Sequence, residues 1–207
     1  FYLVDSEKIY KTKNGKTFEE IKHHTVFPHF NFDYMYINSE TFLISKGIGL
    51  VYSFEDYTFK RLDHSFDHRN KYQSSLFEFK EEIYAFGGYG LFNDTNNMIY
   101  FDNDVKEWFE FDYFSAENHP EPRRYAIAGI KESSLYVFGG FRENIDSQLK
   151  VSTKFLHDVW VLDLNSHSWK QLGKATISDL LEPDLELRFV KIIPYKGNHL
   201  IMSKQNC

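Results

Sequence analysis

Cysteine is nearly absent from this 207-residue chain: there is one, Cys207, at the last position. A single thiol excludes an intrachain disulfide framework and any metal site built from several cysteines. Long apolar runs are also missing, and none approaches the ~18 residues that a membrane-spanning helix needs. The first residues show no charged segment leading into an apolar stretch, so no signal peptide is visible. An excess of basic charge is lacking as well. The 24 Lys and Arg stand against 30 Asp and Glu, a net charge of −6, which gives nucleic acid no electrostatic footprint. Alanine is scarce, and no long stripe of helical period runs along the chain. What the sequence has in quantity is aromatic residues: 21 Phe, 14 Tyr and 3 Trp, 18% of the whole. With 42% hydrophobic residues, that composition excludes intrinsic disorder. The chain begins with Phe rather than Met and reads as a piece of a longer one.

Short aromatic and β-branched runs recur, bounded by Gly, Asn, Asp and Lys. Tyr2 to Val4, Thr41 to Ile44, Ile83 to Phe86, Leu135 to Phe138, Val159 to Leu162 and Leu200 to Met202 read as strands. Asn14-Gly15 suits a tight hairpin turn and Lys196-Gly197-Asn198 a slightly longer one. An all-β chain of this length is a sandwich, a barrel or a propeller, and internal repetition separates them.

The repetition is there. Ile-Tyr-Ala-Phe-Gly-Gly at 83–88 returns as Leu-Tyr-Val-Phe-Gly-Gly at 135–140, 52 residues later. After each comes an apolar residue, six residues, then Trp: Phe101 to Trp108, and Leu162 to Trp169. The same spacing runs from Tyr52 to Phe59, with Phe in place of Trp. From Gly88 to Trp108 is 20 residues and from Gly140 to Trp169 is 29, so the second unit carries a longer insertion. Gly-Gly permits unusual dihedrals and close backbone approach. Asp102 and Asp163 follow the apolar positions and are expected to bond nearby turn amides.

Strand-Gly-Gly followed by this spaced Trp, at a period near fifty, resembles the kelch repeat, the repeat of the galactose-oxidase central domain. The resemblance is strongest over 113–173, good over 69–112 and weaker over 30–62, where Gly-Gly is reduced to Lys46-Gly47. Residues 10–18 resemble an eroded Asp-box hairpin, with Lys11 and Lys13 where that motif usually has Ser and Asp. The resemblance implies an all-β fold: a kelch β-propeller of four-stranded blades round a channel, with the aromatic or Trp position packed between blades. About four blade equivalents are present, a fragment of a larger propeller. A partial blade occupies 1–22, blades follow at about 30–62, 69–112 and 120–173, and a partial blade occupies 185–207.

In a propeller of this kind the first strand of each blade lies nearest the channel. Aligned on that basis, Lys71-Tyr72, Arg124-Tyr125 and Arg188-Phe189 fall at equivalent positions, with Asn31-Phe32 before them. The implied picture is a basic ring of Lys71, Arg124 and Arg188 at the channel mouth. Loops rich in functional groups emerge on the same face. They supply His64, Asp67, His68 and Arg69; Tyr89 and Phe92; Arg123; and Phe141 and Arg142. These residues are the expected ligand-binding set, since a scaffold that varies its loops on one face binds there. Arg geometry suits a carboxylate or phosphate.

No catalytic residue, metal site or cofactor is assigned. Asp63 to His68 holds two carboxylates and two imidazoles, donors that suit a divalent metal, but it reads as a solvated loop, as does His23-His24. Copper-radical oxidases of the same architecture need a Tyr crosslinked to Cys, and Cys207 is the sole cysteine. The iron-binding Glu, Asp and His pattern of the plant specifier proteins is absent. Neither a nucleophile elbow nor a phosphate loop is present. The leading expectation is a non-catalytic binding, scaffolding or sensory propeller for a protein segment or a small anionic or sugar ligand. The second is a carbohydrate-active enzyme, an epimerase or mutarotase, with Asp67, Asp94, Glu117 and Glu121 as candidate acid/base groups. The Lys-, Asn- and Phe-rich composition suggests a bacterial source, and cytoplasmic and exported locations are both open.

Overall fold

Left-handed two-residue turns set much of the architecture. Asn38-Ser39 (φ 49° and 67°), Asp56-Tyr57 (47° and 60°) and Lys80-Glu81 (49° and 70°) each join two antiparallel strands. Their twist matches that of the flanking strands, which makes this the favoured short hairpin. A computed structural model describes residues 2–4, 8–22, 32–45, 47–67, 71–113, 118–174, 190–195 and 198–203. Among the described residues there are strands and no helix.

The strands form successive antiparallel sheets. The first has three strands, β1 (Tyr2–Val4), β2 (Ile9–Lys11) and β3 (Glu19–Ile21). The second has four in chain order, β4 (Phe32–Ile37), β5 (Glu40–Ser45), β6 (Val51–Glu55) and β7 (Thr58–Arg61). Next come β8 (Ser75–Phe79), β9 (Glu82–Phe86), the small β10 (Tyr89–Gly90) and β11 (Asn93–Asp94), then β12 (Met98–Asp102) and β13 (Glu107–Phe111). Here β8, β9, β12 and β13 make a four-stranded sheet, and β10–β11 stands out as a separate ribbon. The pattern repeats with β14 (Ile127–Lys131), β15 (Ser134–Phe138), β16 (Phe141–Ile145), β17 (Val151–Phe155), β18 (Asp158–Asp163) and β19 (Ser168–Lys174). Again the second and third strands of the sheet enclose a ribbon, β16–β17. A final pair is β20 (Val190–Tyr195) and β21 (Asn198–Ser203). The first strands lie side by side: β8 neighbours β4 and β14, and β14 neighbours β20.

The core lies between sheets, where the aromatics go. Ile37, Phe42, Ile44 and Val51 of the second sheet pack on Ile83, Ala85, Ile99, Phe101 and Trp108 of the third. Phe77, Tyr84, Phe86 and Met98 of the third pack on Leu135, Val137, Trp160, Leu162 and Trp169 of the fourth. Phe59, at the spacing that elsewhere carries Trp, is buried with Leu43 and Ile9. The turn aspartates behave as expected. Asp102 Oδ1 accepts from the Asp104 and Val105 amides at 2.8 and 2.9 Å, and Asp163 Oδ1 from those of Asn165 and Ser166 at 2.8 and 3.0 Å.

Asn14-Gly15 differs from the expectation of a tight hairpin. Lys11 pairs with Glu19, so the connection spans residues 12–18. Side chains close it: Thr12 Oγ1 accepts from the Gly15 amide at 2.9 Å, and Asn14 Oδ1 from the Lys16 and Thr17 amides at 2.9 and 3.0 Å. Asn14 therefore acts as a turn acceptor rather than as the first residue of a two-residue turn. Lys196 and Gly197 lie outside the described residues.

Candidate binding face

Each Gly-Gly pair releases the chain from its sheet into a ribbon and docks it on the lead-in to a first strand. Gly139 and Gly140 have φ of 63° and 87°, and a Cβ on Gly140 would stand 2.7 Å from the Arg124 carbonyl oxygen. Only glycine fits that conformation and approach. Beyond it, Phe141 and Arg124 exchange two backbone hydrogen bonds, N to O at 3.0 and 2.9 Å. Gly87-Gly88 does the same in the preceding sheet, where Tyr89 and Tyr72 exchange bonds of 2.7 and 2.9 Å.

This register corrects the sequence alignment by one residue. Tyr72 stands where Arg124 stands, so Lys71 is the counterpart of Arg123. The slip reverses the roles of the basic residues. Arg123 is fully buried. Its Nη1 and Nη2 donate to Asp158 Oδ1 and Oδ2 at 2.6 and 2.8 Å, Nη1 also to the Gly139 carbonyl at 3.0 Å, and Nε to the Glu121 carbonyl at 2.9 Å. Lys71 is buried too, and its ammonium donates to Thr95 Oγ1 at 3.0 Å and to Asn97 Oδ1. Burial pushes its pKa down to about 8, against the opposing charge of Glu110. Both side chains therefore brace the inside of their own blades, and neither presents its cation to solvent. Arg188 lies outside the described residues, so a ring of Lys71, Arg124 and Arg188 is not what the described residues assemble.

Arg124 is the basic residue that reaches the face between the ribbons. Its Nε lies 2.8 Å from Asp94 Oδ1 on β11, and its Nη2 donates to Glu143 Oε2 on β16 at 2.7 Å. Its guanidinium carbon stands 4.7 Å from the Tyr89 ring centroid and 5.2 Å from that of Phe141, while Phe141 stacks on Tyr125. Asp94 Oδ2 also accepts from the Glu143 amide at 2.8 Å. One cation, two carboxylates and two rings thus lock the β10–β11 ribbon to the β16–β17 ribbon across two sheets. Glu143 was not singled out by sequence; its charge is ordinary for an exposed strand, and only the contact reveals its part.

A kelch-repeat family model, described as the KLHDC2/KLHL20/DRC7 Kelch-repeats domain, matches residues 50–183. The chain belongs to the kelch-repeat family. Its four-stranded sheets are propeller blades, and kelch repeats commonly mediate protein binding. No curated protein matches the chain.

The remaining candidates distribute unevenly over this kelch scaffold. Arg142 is half-buried on the opposite face of the β16–β17 ribbon, where Nη1 donates to Glu121 Oε2 at 3.1 Å and Nε to Asn144 Oδ1 at 3.0 Å. Lys154 donates to both Glu121 oxygens at 2.8 Å. Hydrogen bonding from Lys154 holds the Glu121 carboxyl below the ordinary carboxylate range, assisted by the charges of Lys154 and Arg142 and opposed by burial. His64 and Asp67 are exposed, while His68, Arg69 and Glu117 lie outside the described residues. Asp63 and Ser65 of that loop belong to the scaffold. Asp63 is buried and accepts from the Ser65 amide at 3.0 Å, and Ser65 Oγ accepts from the Trp108 amide at 2.6 Å. Among the described residues no three His, Cys, Asp or Glu side chains gather to hold a metal ion. No helix of the described residues is long and apolar enough to cross a membrane.

Phe92 is the most exposed aromatic residue of the expected set, and its neighbour Leu91, which the sequence did not mark, is nearly as open (84% and 77%). The two form the turn of the β10–β11 ribbon with φ of 76° and 49°. That turn type favours Asn-Gly, because a left-handed backbone costs an ordinary residue about 1–2 kcal/mol.

Proposed function

We propose that this kelch propeller is a non-catalytic binding module that docks a protein segment on the face between the β10–β11 and β16–β17 ribbons. The observation that carries the reading is the Leu91-Phe92 turn. Two large apolar side chains occupy left-handed positions that suit Asn-Gly, and both project into solvent. Strain and exposure at one spot fit a contact surface better than they fit stability. The ribbon that carries them is held by the Asp94–Arg124 ion pair of 2.8 Å, so the knob is pre-positioned, which lowers the entropy lost on binding. Aromatic and Arg side chains are also those most used at protein contacts.

The carbohydrate reading has less behind it. Asp94 and Glu121, which a sugar-active face would employ as acid or base, are engaged by Arg124 and by Lys154 with Arg142. Arg124, the cation an acidic ligand would seek, is balanced by Asp94 and Glu143.

A displayed library of random peptides selected on the whole chain tests the proposal, with the double variant Leu91→Asn, Phe92→Gly as the comparison. The variant installs the residues its turn prefers, so its melting temperature stays level or rises. Selected peptides are expected to lose affinity for it by tenfold or more. Equal affinity for both proteins would sink the proposal. A saturable change in Trp fluorescence on titration with sugars, with no peptide selected, would favour the carbohydrate reading.

A further inference from the structure

The turn that joins β2 to β3 gathers hydrogen-bond donors on one side-chain carbonyl. Asn14 Oδ1 accepts from the Lys16 amide at 2.9 Å, the Thr17 amide at 3.0 Å, the Thr17 hydroxyl at 3.2 Å and the Thr12 hydroxyl at 3.4 Å. A carbonyl oxygen has two lone pairs, so this is more donor capacity than a neutral amide uses. The Thr12 hydroxyl has a second role, because its oxygen accepts from the Gly15 amide at 2.9 Å. It therefore stands between the Gly15 nitrogen and the Asn14 side-chain oxygen.

The step is Asn-Gly, in which the nitrogen that follows Asn14 carries no Cβ beside it to hinder approach. Nothing lies within 4 Å of the place a Gly15 Cβ would take. Residues 13–18 are exposed, so water reaches the turn, while Thr12 itself is buried and its hydroxyl is held in place. A nucleophile, a group to take its proton and donors aimed at the oxygen where charge develops are the parts of an acyl-transfer site.

We infer that Asn14-Gly15 is a self-modifying site, at which the turn itself accelerates loss of the Asn14 side-chain amide. The Gly15 nitrogen attacks Asn14 Cγ and a bond forms between them. The Gly15 proton passes to Thr12 Oγ1 as the hydroxyl gives its own to Asn14 Oδ1, so Thr12 is unchanged. The bond from Cγ to Nδ2 then breaks, the Oδ1 proton is transferred to Nδ2, and ammonia leaves behind a cyclic imide. Water adds to one of the two imide carbonyls and opens the ring, to aspartate or to its β-linked isomer. One water is consumed and one ammonia released, and nothing is oxidised or reduced. Hydrogen bonds to a charged oxygen are about twice as strong as those to a neutral one. The donors on Oδ1 therefore favour the transition state over the starting amide. The aspartyl product keeps the turn's acceptor. The β-linked product lengthens the main chain and loosens β2, which holds Ile9 against Leu43 and Phe59 of the next sheet. The site is on the first sheet, outside the ribbons, and is independent of the proposed binding of a protein segment.

Mass spectrometry of peptides from the whole chain, incubated near neutral pH beside a free peptide of residues 8–21, reads the conversion at Asn14. The folded chain is expected to convert about tenfold faster than the peptide. Thr12→Val and Thr17→Val keep the branched shape and remove one hydroxyl each. Each is expected to slow the whole chain about tenfold with an unchanged circular dichroism spectrum, and to leave the peptide's rate alone. A whole chain that converts no faster than the free peptide would overturn the inference. So would a folded Thr12→Val or Thr17→Val chain that converts as fast as wild type or faster, since the turn would then protect Asn14.

Discussion

Arg123 grips Asp158 with two parallel hydrogen bonds, Nη1 to Oδ1 at 2.6 Å and Nη2 to Oδ2 at 2.8 Å, inside the third complete blade. The arginine is fully buried and the carboxylate also accepts from the Trp160 indole at 2.6 Å. The pair anchors the segment that leads into β14 to the start of β18.

Removing one partner leaves the other charge buried, a loss of about 3–5 kcal/mol. Arg123→Ala and Asp158→Asn are both expected to lower stability on that scale in urea denaturation at pH 7. Arg123→Lys is expected to recover only part, because an ammonium cannot make the two-pronged contact. Burial by itself would raise the Asp158 carboxyl, but hydrogen bonds from Arg123 and Trp160 and the guanidinium charge outweigh it and hold the group below its ordinary value. A lowered carboxylate stabilises above its unfolded pKa and loses that contribution as pH falls through the folded one. The stability gap between wild type and Asp158→Asn should therefore narrow in acid, and a constant gap would refute the charge-based account.

Lys71 supplies a pH dependence of opposite origin. Burial lowers its pKa to about 8 from an ordinary 10.5. Between those values the unfolded chain binds more protons than the folded one, so stability increases with pH. Tyr113, raised to about 12 by burial, and Tyr84, raised further by the same cause, act the other way above the ordinary tyrosine value near 10. The rise is thus expected from about pH 8 to about pH 10, and Lys71→Met should remove it. Denaturation midpoints of the two proteins across that range decide the matter; parallel curves would exclude Lys71 as the source.

Trp108 and Trp169 occupy the same repeat position but differ in one bond. The Trp108 indole donates to the Gly49 carbonyl at 2.7 Å, joining its blade to the preceding one, whereas the Trp169 indole N–H has no hydrogen-bond partner among the described residues. Trp to Phe at 108 leaves a buried carbonyl unpaired, a cost of about 1–3 kcal/mol on top of lost packing. At 169 the same change loses packing and removes an unpaired donor. Trp108→Phe is expected to destabilise clearly more than Trp169→Phe, as compared by thermal melting. Equal losses would mean that packing alone governs the position.

The blade scaffold was readable in the chain because its determinants are local. Alternation between Ile83 and Phe86, the Gly-Gly pairs at 87–88 and 139–140, and the turn acceptors Asp102 and Asp163 each act within a few residues of themselves. The Asn14-Gly15 turn is wider than the dipeptide alone implies, because Thr12 and Thr17 help to close it. The candidate face was partly readable: Tyr89, Phe92, Arg124 and Phe141 do converge between the ribbons or stand at their rim. Lys71 and Arg123 do not, and no local signal separates them from Arg124. A shift of one residue between neighbouring lead-in segments turns a side chain from solvent to interior, and that register is fixed by backbone bonds to the next ribbon, from Phe141 and Tyr89.

The sequence by itself determined the repeat, the turns and the apolar faces, because periodicity and φ preferences are properties of adjacent residues. Tertiary structure alone decided which basic residue reaches between the ribbons and which carboxylates hold it. Those outcomes depend on how one blade is set against the next. Across that junction a guanidinium within 3 Å of a carboxylate is bound to it, whatever their distance along the chain.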